Sequence, residues 1–320
     1  MEEMNSISKI IADCGNLPLD ISNLICEFRN ERKIAAGTSI SFGLNSIGEI
    51  TGWGKNIYNL MTDIPKGSGF KAISAGHSYA LAINSTNEIV GWGRSAKYDK
   101  DNEGRRIKSS KYFVPNYQVS HIPEGSDFIA ISAGNRHSLA LTSKGEIISW
   151  GNTFQEVLKS PKGTGFIAIS AGLNRSTALD RDGRIFCWGM RETDTVHDIS
   201  KDSGFIAISY NHNYIVALRE NGSISAWGTN HFNKVSDCPI SSDFVDISSS
   251  DNHALALRSN GSLISWGYDK YNQVSHTPEG SNFVAIATEF NNSVALDDKG
   301  AVTIWGDVYH NCVNETHQLL

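Results

Sequence analysis

Two sets of side chains in this sequence could do chemistry at a surface. The first is the stretch Arg94–Asn116, RSAKYDKDNEGRRIKSSKYFVPN. It carries Arg94, Lys97, Lys100, Arg105, Arg106, Lys108 and Lys111 against Asp99, Asp101 and Glu103, with Tyr98 and Tyr112 in the same run. That is a local charge of +4, so the remainder of a chain with net charge −6 holds −10. A long cationic segment of this kind suits docking on an acidic surface. The second set is polar and varied, and each member follows a short apolar run: His77, Asn135, Arg136, Asn174, Arg175, His212, Asn213, Asp251, Asn252, Glu289, Phe290 and Asn291. Different residues at one repeated offset are what a binding surface needs, where the scaffold is fixed and the contacts vary.

Neither set forms a catalytic constellation. The chain has no G-x-S-x-G, no H-E-x-x-H and no clustered carboxylates. Lys66-Gly-Ser-Gly and Lys162-Gly-Thr-Gly lack the spacing of a phosphate-binding loop. Five cysteines, odd in number and without C-x-x-C, argue against a disulfide framework or a zinc site and for a reducing compartment. No metal or cofactor is expected. The acidic balance speaks against a general nucleic-acid binder. The amino terminus is acidic and without an apolar core, and no apolar run approaches the length of a membrane-spanning helix. A cytoplasmic monomer is the expectation, with the nucleus, or a host cell, as other possible settings.

The elements that must position these residues repeat. All seven tryptophans stand in Trp-Gly pairs, at Trp53, Trp92, Trp150, Trp188, Trp227, Trp266 and Trp305, separated by 39, 58, 38, 39, 39 and 39 residues. Six units open on F-x-A-I, at Phe70, Phe128, Phe166, Phe205, Phe244 (with Asp246 for Ala) and Phe283, and the units go on with a run ending in an Ala-Leu type pair, a turn with Gly (Asn87 in the second unit), and a β-branched run into Trp-Gly. A fourth short strand is expected around Met61, Val119, Val157, Val196, Val235, Val274 and Val313. Alternation rather than 3.6-residue periodicity, with tight turns and about 39 residues per unit, predicts an all-β, seven-bladed propeller. The tryptophans are expected to wedge between neighbouring sheets.

The propeller is expected over 31–320, with the insertion 94–116 as its one break. Residues 31–34 stand where F-x-A-I should be, and the last fragment is expected to supply the strand that the first unit lacks, closing the ring. Residues 1–30 lie outside it. Ile7, Ile10 and Ile11, then Ile21, Leu24, Ile25 and Phe28, have helical spacing, so this segment is expected to be a helical cap or a partner-binding element. If the first strand runs up, the first–second and third–fourth loops share a face, which places the insertion beside the polar set.

G-x-x-H-S-x-A-L followed by D-G-x-[IV]-x-x-W-G resembles the regulator of chromosome condensation repeat, over about residues 31–314. The motif His stands only at His137 and His253, which are read as loop braces, with Tyr79, Arg175, Tyr214, Asn292 and Ile40 elsewhere. The resemblance implies protein binding. Its members include exchange factors for a small GTPase, modules beside ubiquitin ligases and ultraviolet sensors, and a similar propeller inhibits β-lactamases. The leading expectation is a protein-interaction propeller that binds a small GTPase and promotes guanine-nucleotide exchange. The alternatives are an adaptor for ubiquitination machinery through the F-box-like Leu17-Pro18-Leu19-Asp20-Ile21, or an enzyme inhibitor.

Overall fold

In the computed structural model the described residues are 33–38, 40–93, 99–100, 106–107, 117–151, 158–189, 203–307 and 315–319. The 1–30 segment falls outside them. Seven antiparallel sheets follow one another along the chain, each a simple meander. Blade one is Ile34–Ala36, Ile40–Leu44 and Ile50–Gly54, and blade two is Ala72–Ala75, Tyr79–Ile83 and Ile89–Gly93. Blade three is Phe128–Ala133, His137–Thr142 and Ile147–Gly151, and blade four is Phe166–Ala171, Arg175–Asp180 and Ile185–Gly189. Blade five is Phe205–Asn211, Tyr214–Arg219 and Ile224–Gly228, and blade six is Phe244–Ser249, His253–Arg258 and Leu263–Gly267. Blade seven is Phe283–Glu289, Asn292–Asp297, Ala301–Gly306 and Glu315–Gln318. First strands of successive blades touch one another all the way round, and that of blade seven touches that of blade one. The fold is a closed seven-bladed β-propeller with the first strands innermost.

Seven apolar clusters fill the seven gaps between blades, and each takes a tryptophan from the later blade. Trp92 packs with Ile40, Phe42 and Leu44 of blade one, and Trp305 with Leu255 and Leu257 of blade six. One blade alone cannot cover its own apolar faces; an indole in each gap removes roughly 150–250 Å² from water. The copied sequence is interblade packing.

Hydroxyls add a second link. The Ser that follows F-x-A-I accepts a main-chain N–H from the next inner strand: Ala133 to Ser74 at 3.0 Å, Ala171 to Ser132 at 2.9 Å, Tyr210 to Ser170 at 3.0 Å, Ser249 to Ser209 and Thr288 to Ser248 at 2.9 Å. Blade seven has Ala287 at this position.

The closure differs from the expectation. Glu315–Gln318 pairs with the outer strand of blade seven, Ala301 opposite Gln318, and not with blade one. Blade one has three strands of its own, so it needs none from the carboxyl end. Side chains seal the gap instead: Ile34 and Ala36 pack with Val294, Leu296 and Ile304, joined by Trp53 and Leu319. Asn292 Nδ2 donates to the Thr38 carbonyl at 3.2 Å, and Trp53 stacks on His317.

The fourth pieces also differ. Met61, Val235 and Val274 lie in turns and Val119 in the helical turn Tyr117–Ser120, while Val157, Val196 and Val313 fall outside the described residues. An apolar residue that plugs a gap from a turn reads in sequence like one in a short strand.

Candidate protein-binding face

The two faces of the ring are built differently. On one, the second–third turns are closed on themselves by an Asn or Asp side chain. Asn45 Oδ1 accepts the amides of Ile47 and Glu49, Asn84 Oδ1 those of Thr86 and Glu88, and Asp180 Oδ1 those of Asp182 and Arg184, all at 2.8–3.2 Å. Asp297 repeats this with Lys299 and Ala301. The expected Gly stands where φ is positive, as at Gly48 (φ 75°), and Asn87 takes that role in blade two at φ 61°. A Cβ on Gly48 would lie 2.5 Å from the Phe70 carbonyl oxygen.

The opposite face carries the first–second loops and the connections that leave Trp-Gly. Here the side chains differ from blade to blade. His77 is exposed, its Nδ1 3.1 Å from Thr38 Oγ1 and its ring 6.3 Å from Tyr58. Asn135 is half-buried and donates its amide to Gly172, and Arg136 is exposed beside it. Asn174 and Arg175 are half-buried. His212 and Phe290 hold φ of 52° and 54°, and Phe290 is 40% exposed. Eight expected residues of the polar set, His77, Asn135, Arg136, Asn174, Arg175, His212, Asp251 and Phe290, thus share one mouth of the central channel.

Three of the connections after Trp-Gly are pinned by an Asn or Asp two residues past the Gly. Asn56 Oδ1 accepts the Met61 amide at 2.8 Å, Asn230 Oδ1 those of Val235 and Ser236, and Asp269 Oδ1 those of Val274 and Ser275. In two of them an aromatic sits in the left-handed region, Tyr58 at φ 62° and Phe232 at 58°. Holding a non-glycine residue there costs on the order of 1–3 kcal/mol. Phe232 is 49% exposed, its ring 4.2 Å from Tyr268, which is 6.1 Å from Tyr271. Sequence reading missed this aromatic row, although the recurring Asn or Asp after Trp-Gly was there to be seen.

The motif histidines link neighbouring blades, and two tyrosines at the same position make further braces. His137 Nε2 meets Ser176 Oγ at 2.8 Å and His253 Nε2 meets Ser293 Oγ at 2.6 Å, each in the next blade. Tyr79 donates to the His137 carbonyl at 2.8 Å, and Tyr214 to that of Lys234 at 2.8 Å. Burial holds the imidazoles neutral, pulling His137 down to about 4 and His253 to about 3. Among the described residues no group of three or more His, Cys, Asp or Glu could hold a metal.

Charged groups gather at the channel mouth. Lys234 is buried, its Nζ donating to the Asp251 carbonyl and lying 4.6 Å from the Tyr214 ring. Burial lowers its pKa to about 8. Asp251 is raised by burial, opposed by the charges of His212, Lys234 and His77. Of the insertion, Asp99–Lys100 pairs antiparallel with Arg106–Ile107, so the basic segment contains a two-stranded ribbon. Lys97, Tyr98, Asp101, Arg105, Lys108, Lys111 and Tyr112 fall outside the described residues.

Fold and faces together define a propeller scaffold that presents variable loops at one mouth. Three stretches, 128–154, 166–191 and 244–273, match the family model described as Regulator of chromosome condensation (RCC1) repeat. Blades three, four and six of the propeller thus carry regulator of chromosome condensation repeats. No curated protein sequence matches it. Among solved structures, the ectodomain of the Physcomitrella patens receptor kinase CR4 is similar at 16% identity, covering 86% of this chain and 73% of that one, with a TM-score of 0.66. Prp20p from Saccharomyces cerevisiae, described with its binding properties to Gsp1p and histones, is similar at 17% identity over 88% of this chain and 84% of its own, with a TM-score of 0.58. Human WBSCR16 gives 16% identity over 78% of this chain and 80% of its own, with a TM-score of 0.57. At these identities the likeness is one of fold.

Proposed function

We propose that this chain is a protein-binding propeller whose partner is a small GTPase, engaged through the face that carries His77, Asp251 and Phe290 and the basic ribbon. The observation that carries the binding role is the asymmetry of the two faces. One is made of turns whose polar groups satisfy themselves. The other holds aromatics out to solvent in strained backbone and varies in every blade. Choosing a small GTPase rests on the family resemblance and on Prp20p, whose described binding includes Gsp1p.

Promotion of nucleotide exchange would need no covalent chemistry. A propeller that holds the nucleotide-free GTPase more tightly than the loaded form shifts the equilibrium by that difference. The ribbon would supply charge against the acidic groups that hold Mg²⁺ in such a partner. Free Cys187 and Cys238 support a cytoplasmic setting. Chain closure without an open inner edge supports a monomer.

Release of fluorescent nucleotide from a panel of purified small GTPases tests this. Accelerated release from one of them, lost in Phe232→Ser, is the expected result. No release and no capture of any nucleotide-free GTPase would overturn it, and capture of ubiquitin-ligase subunits through residues 1–30 would put the adaptor reading in its place.

A further inference from the structure

Among the described residues blade seven alone has a fourth strand, Glu315–Gln318, laid antiparallel on its outer strand with Val302 opposite His317. Leu319 N donates to the Gly300 carbonyl at 2.8 Å, and alternation from that bond makes Val302 with His317 the next bonded pair, then Ile304 with Glu315. In blade six no described strand pairs with the outer side of Leu263–Gly267. Pro278 stands as far past Trp266 as His317 past Trp305, and Pro65 and Pro239 hold the same place after Trp53 and Trp227. A proline has no N–H to give to a neighbouring strand, so the chain leaving blade six passes its outer edge without pairing. Ser265 Oγ meets Thr277 Oγ1 at 2.5 Å, and residues 262–265 with Val274 and residues 277–280 line a space of about 400 Å³.

We propose that this groove is a strand-addition site, taking an extended, proline-free segment of a partner protein as the fourth strand of blade six. The chemistry of the occupant is read from blade seven. There Ala301–Ile304, the counterparts of residues 262–265, already carry an extended run of four residues, Glu315–Gln318. The groups that would pair with an added strand are identified by the same alternation. Arg258 N donates to the Ser262 carbonyl at 2.9 Å, so Ser262 and Ile264 turn inward and Leu263 and Ser265 turn their main-chain groups out. Such an edge binds through the main chain, while Leu263 and Val274 offer apolar contacts and Ser265 and Thr277 hydroxyls to alternate side chains of the occupant. A second copy of this chain has no spare strand at its described carboxyl end, because Glu315–Gln318 is engaged on blade seven and Leu319 in the closing cluster. A partner's extended segment is therefore the occupant that the structure favours. The site lies on the outer wall of the ring, apart from the loops at the channel mouth, and does not depend on the GTPase reading.

The probe is a fluorescent synthetic peptide of residues 314–320, NETHQLL, since that sequence fits the equivalent edge of blade seven. Titrated against the full chain it should bind saturably. The same peptide with His317→Pro should bind about tenfold more weakly, as loss of one ladder hydrogen bond requires. Pro278→His in the chain restores the donor that blade seven has and lets the chain's own segment close the edge, so it should weaken binding of the unmodified peptide by a similar factor. Hydrogen exchange followed by NMR should show new protection at Leu263 and Ser265 when the peptide is added, and none at Val302 and Ile304, which are already paired. The change in the peptide leaves the chain untouched, which keeps the test decisive if Pro278→His does not fold. No saturable binding, binding that ignores the peptide's proline or survives in folded Pro278→His, or protection confined to Val302 and Ile304 would overturn the site. Protection of Leu263 that follows chain concentration without peptide would overturn it in favour of a second copy. No GTPase enters these measurements, so their outcome is separate from that of the nucleotide-release assay.

Discussion

The indole N–H of Trp266 donates to the main-chain carbonyl of Lys234 at 2.9 Å, across the gap between blades five and six. Trp92 does the same to Leu60 at 3.0 Å and Trp305 to Gln273 at 3.1 Å. Each of these tryptophans therefore fills a core gap and also fixes the preceding blade's connection on the binding face. Packing and presentation of the face share one side chain.

Trp266→Ala should destabilise the ring by roughly 3–5 kcal/mol, the range for emptying a large buried aromatic site. Trp266→Phe should recover part of that loss but leave the Lys234 carbonyl without its indole donor. Urea unfolding of both variants checks this. Trp266→Phe as stable as wild type would assign no weight to the hydrogen bond.

Ser209 Oγ takes both the amide of Ser249 at 2.9 Å and its hydroxyl at 3.0 Å. Ser209→Ala leaves a buried main-chain donor without that acceptor and should cost about 1–3 kcal/mol. Ala287→Ser, in the blade that lacks this hydroxyl, is the matched comparison; it should not destabilise comparably. Chemical denaturation of the pair decides the matter.

Removal of residues 308–320 should strip Glu315–Gln318 from blade seven, take Leu319 out of the closing cluster and leave Trp53 without its stacked His317. The loss should be a large part of a typical 5–15 kcal/mol stability. Thermal melting and soluble yield are the readouts, and an unchanged melting curve would contradict the closure described.

Seven Trp-Gly pairs, with five of their six spacings at 38 or 39 residues, made the ring legible, because one indole per gap is a packing requirement. The turn glycines were legible for the same reason, and Asn87 was recognisable as their substitute by its offset. The fourth strands were not, since Met61 and Val235 fill the same apolar slots from a turn. Contacts between blades that are not neighbours leave no periodic trace: nothing in the spacing joins Asn211 to Glu289, 78 residues away. The expected polar set was found by offset alone, and that is why Lys234, Phe232 and Tyr268, which stand in the other connection, escaped it.

His253 and Glu289 give the fold pH dependences of opposite sign. Its folded pKa of about 3 lies below the ordinary 6.5, so the unfolded chain takes up its proton first. Its contribution is complete above 6.5 and is lost as pH falls toward 3. Glu289, raised from 4.5 to about 8, contributes fully below 4.5 and loses its contribution as pH rises through 8. His253→Asn, the residue blade seven already uses at Asn292, should be less stable than wild type at about pH 7 and nearer to it at about pH 5. Denaturation midpoints at the two values measure this; parallel curves would place the pH response elsewhere.

The central claim is that partners bind the face of exposed aromatics and the basic ribbon. Its most direct measurement is the affinity of the captured partner for three variants beside wild type, each checked by a melting curve. Phe232→Ser with Phe290→Ser should weaken binding about tenfold or more, as loss of aromatic anchors does. Replacing Lys97–Lys111 by a short Gly-Ser link should weaken it too and flatten its salt dependence, with the fold kept. Glu88→Lys with Asp182→Lys, on the self-satisfied turns, should leave affinity unchanged. Binding that survives both face variants and fails in the turn variant would contradict the account.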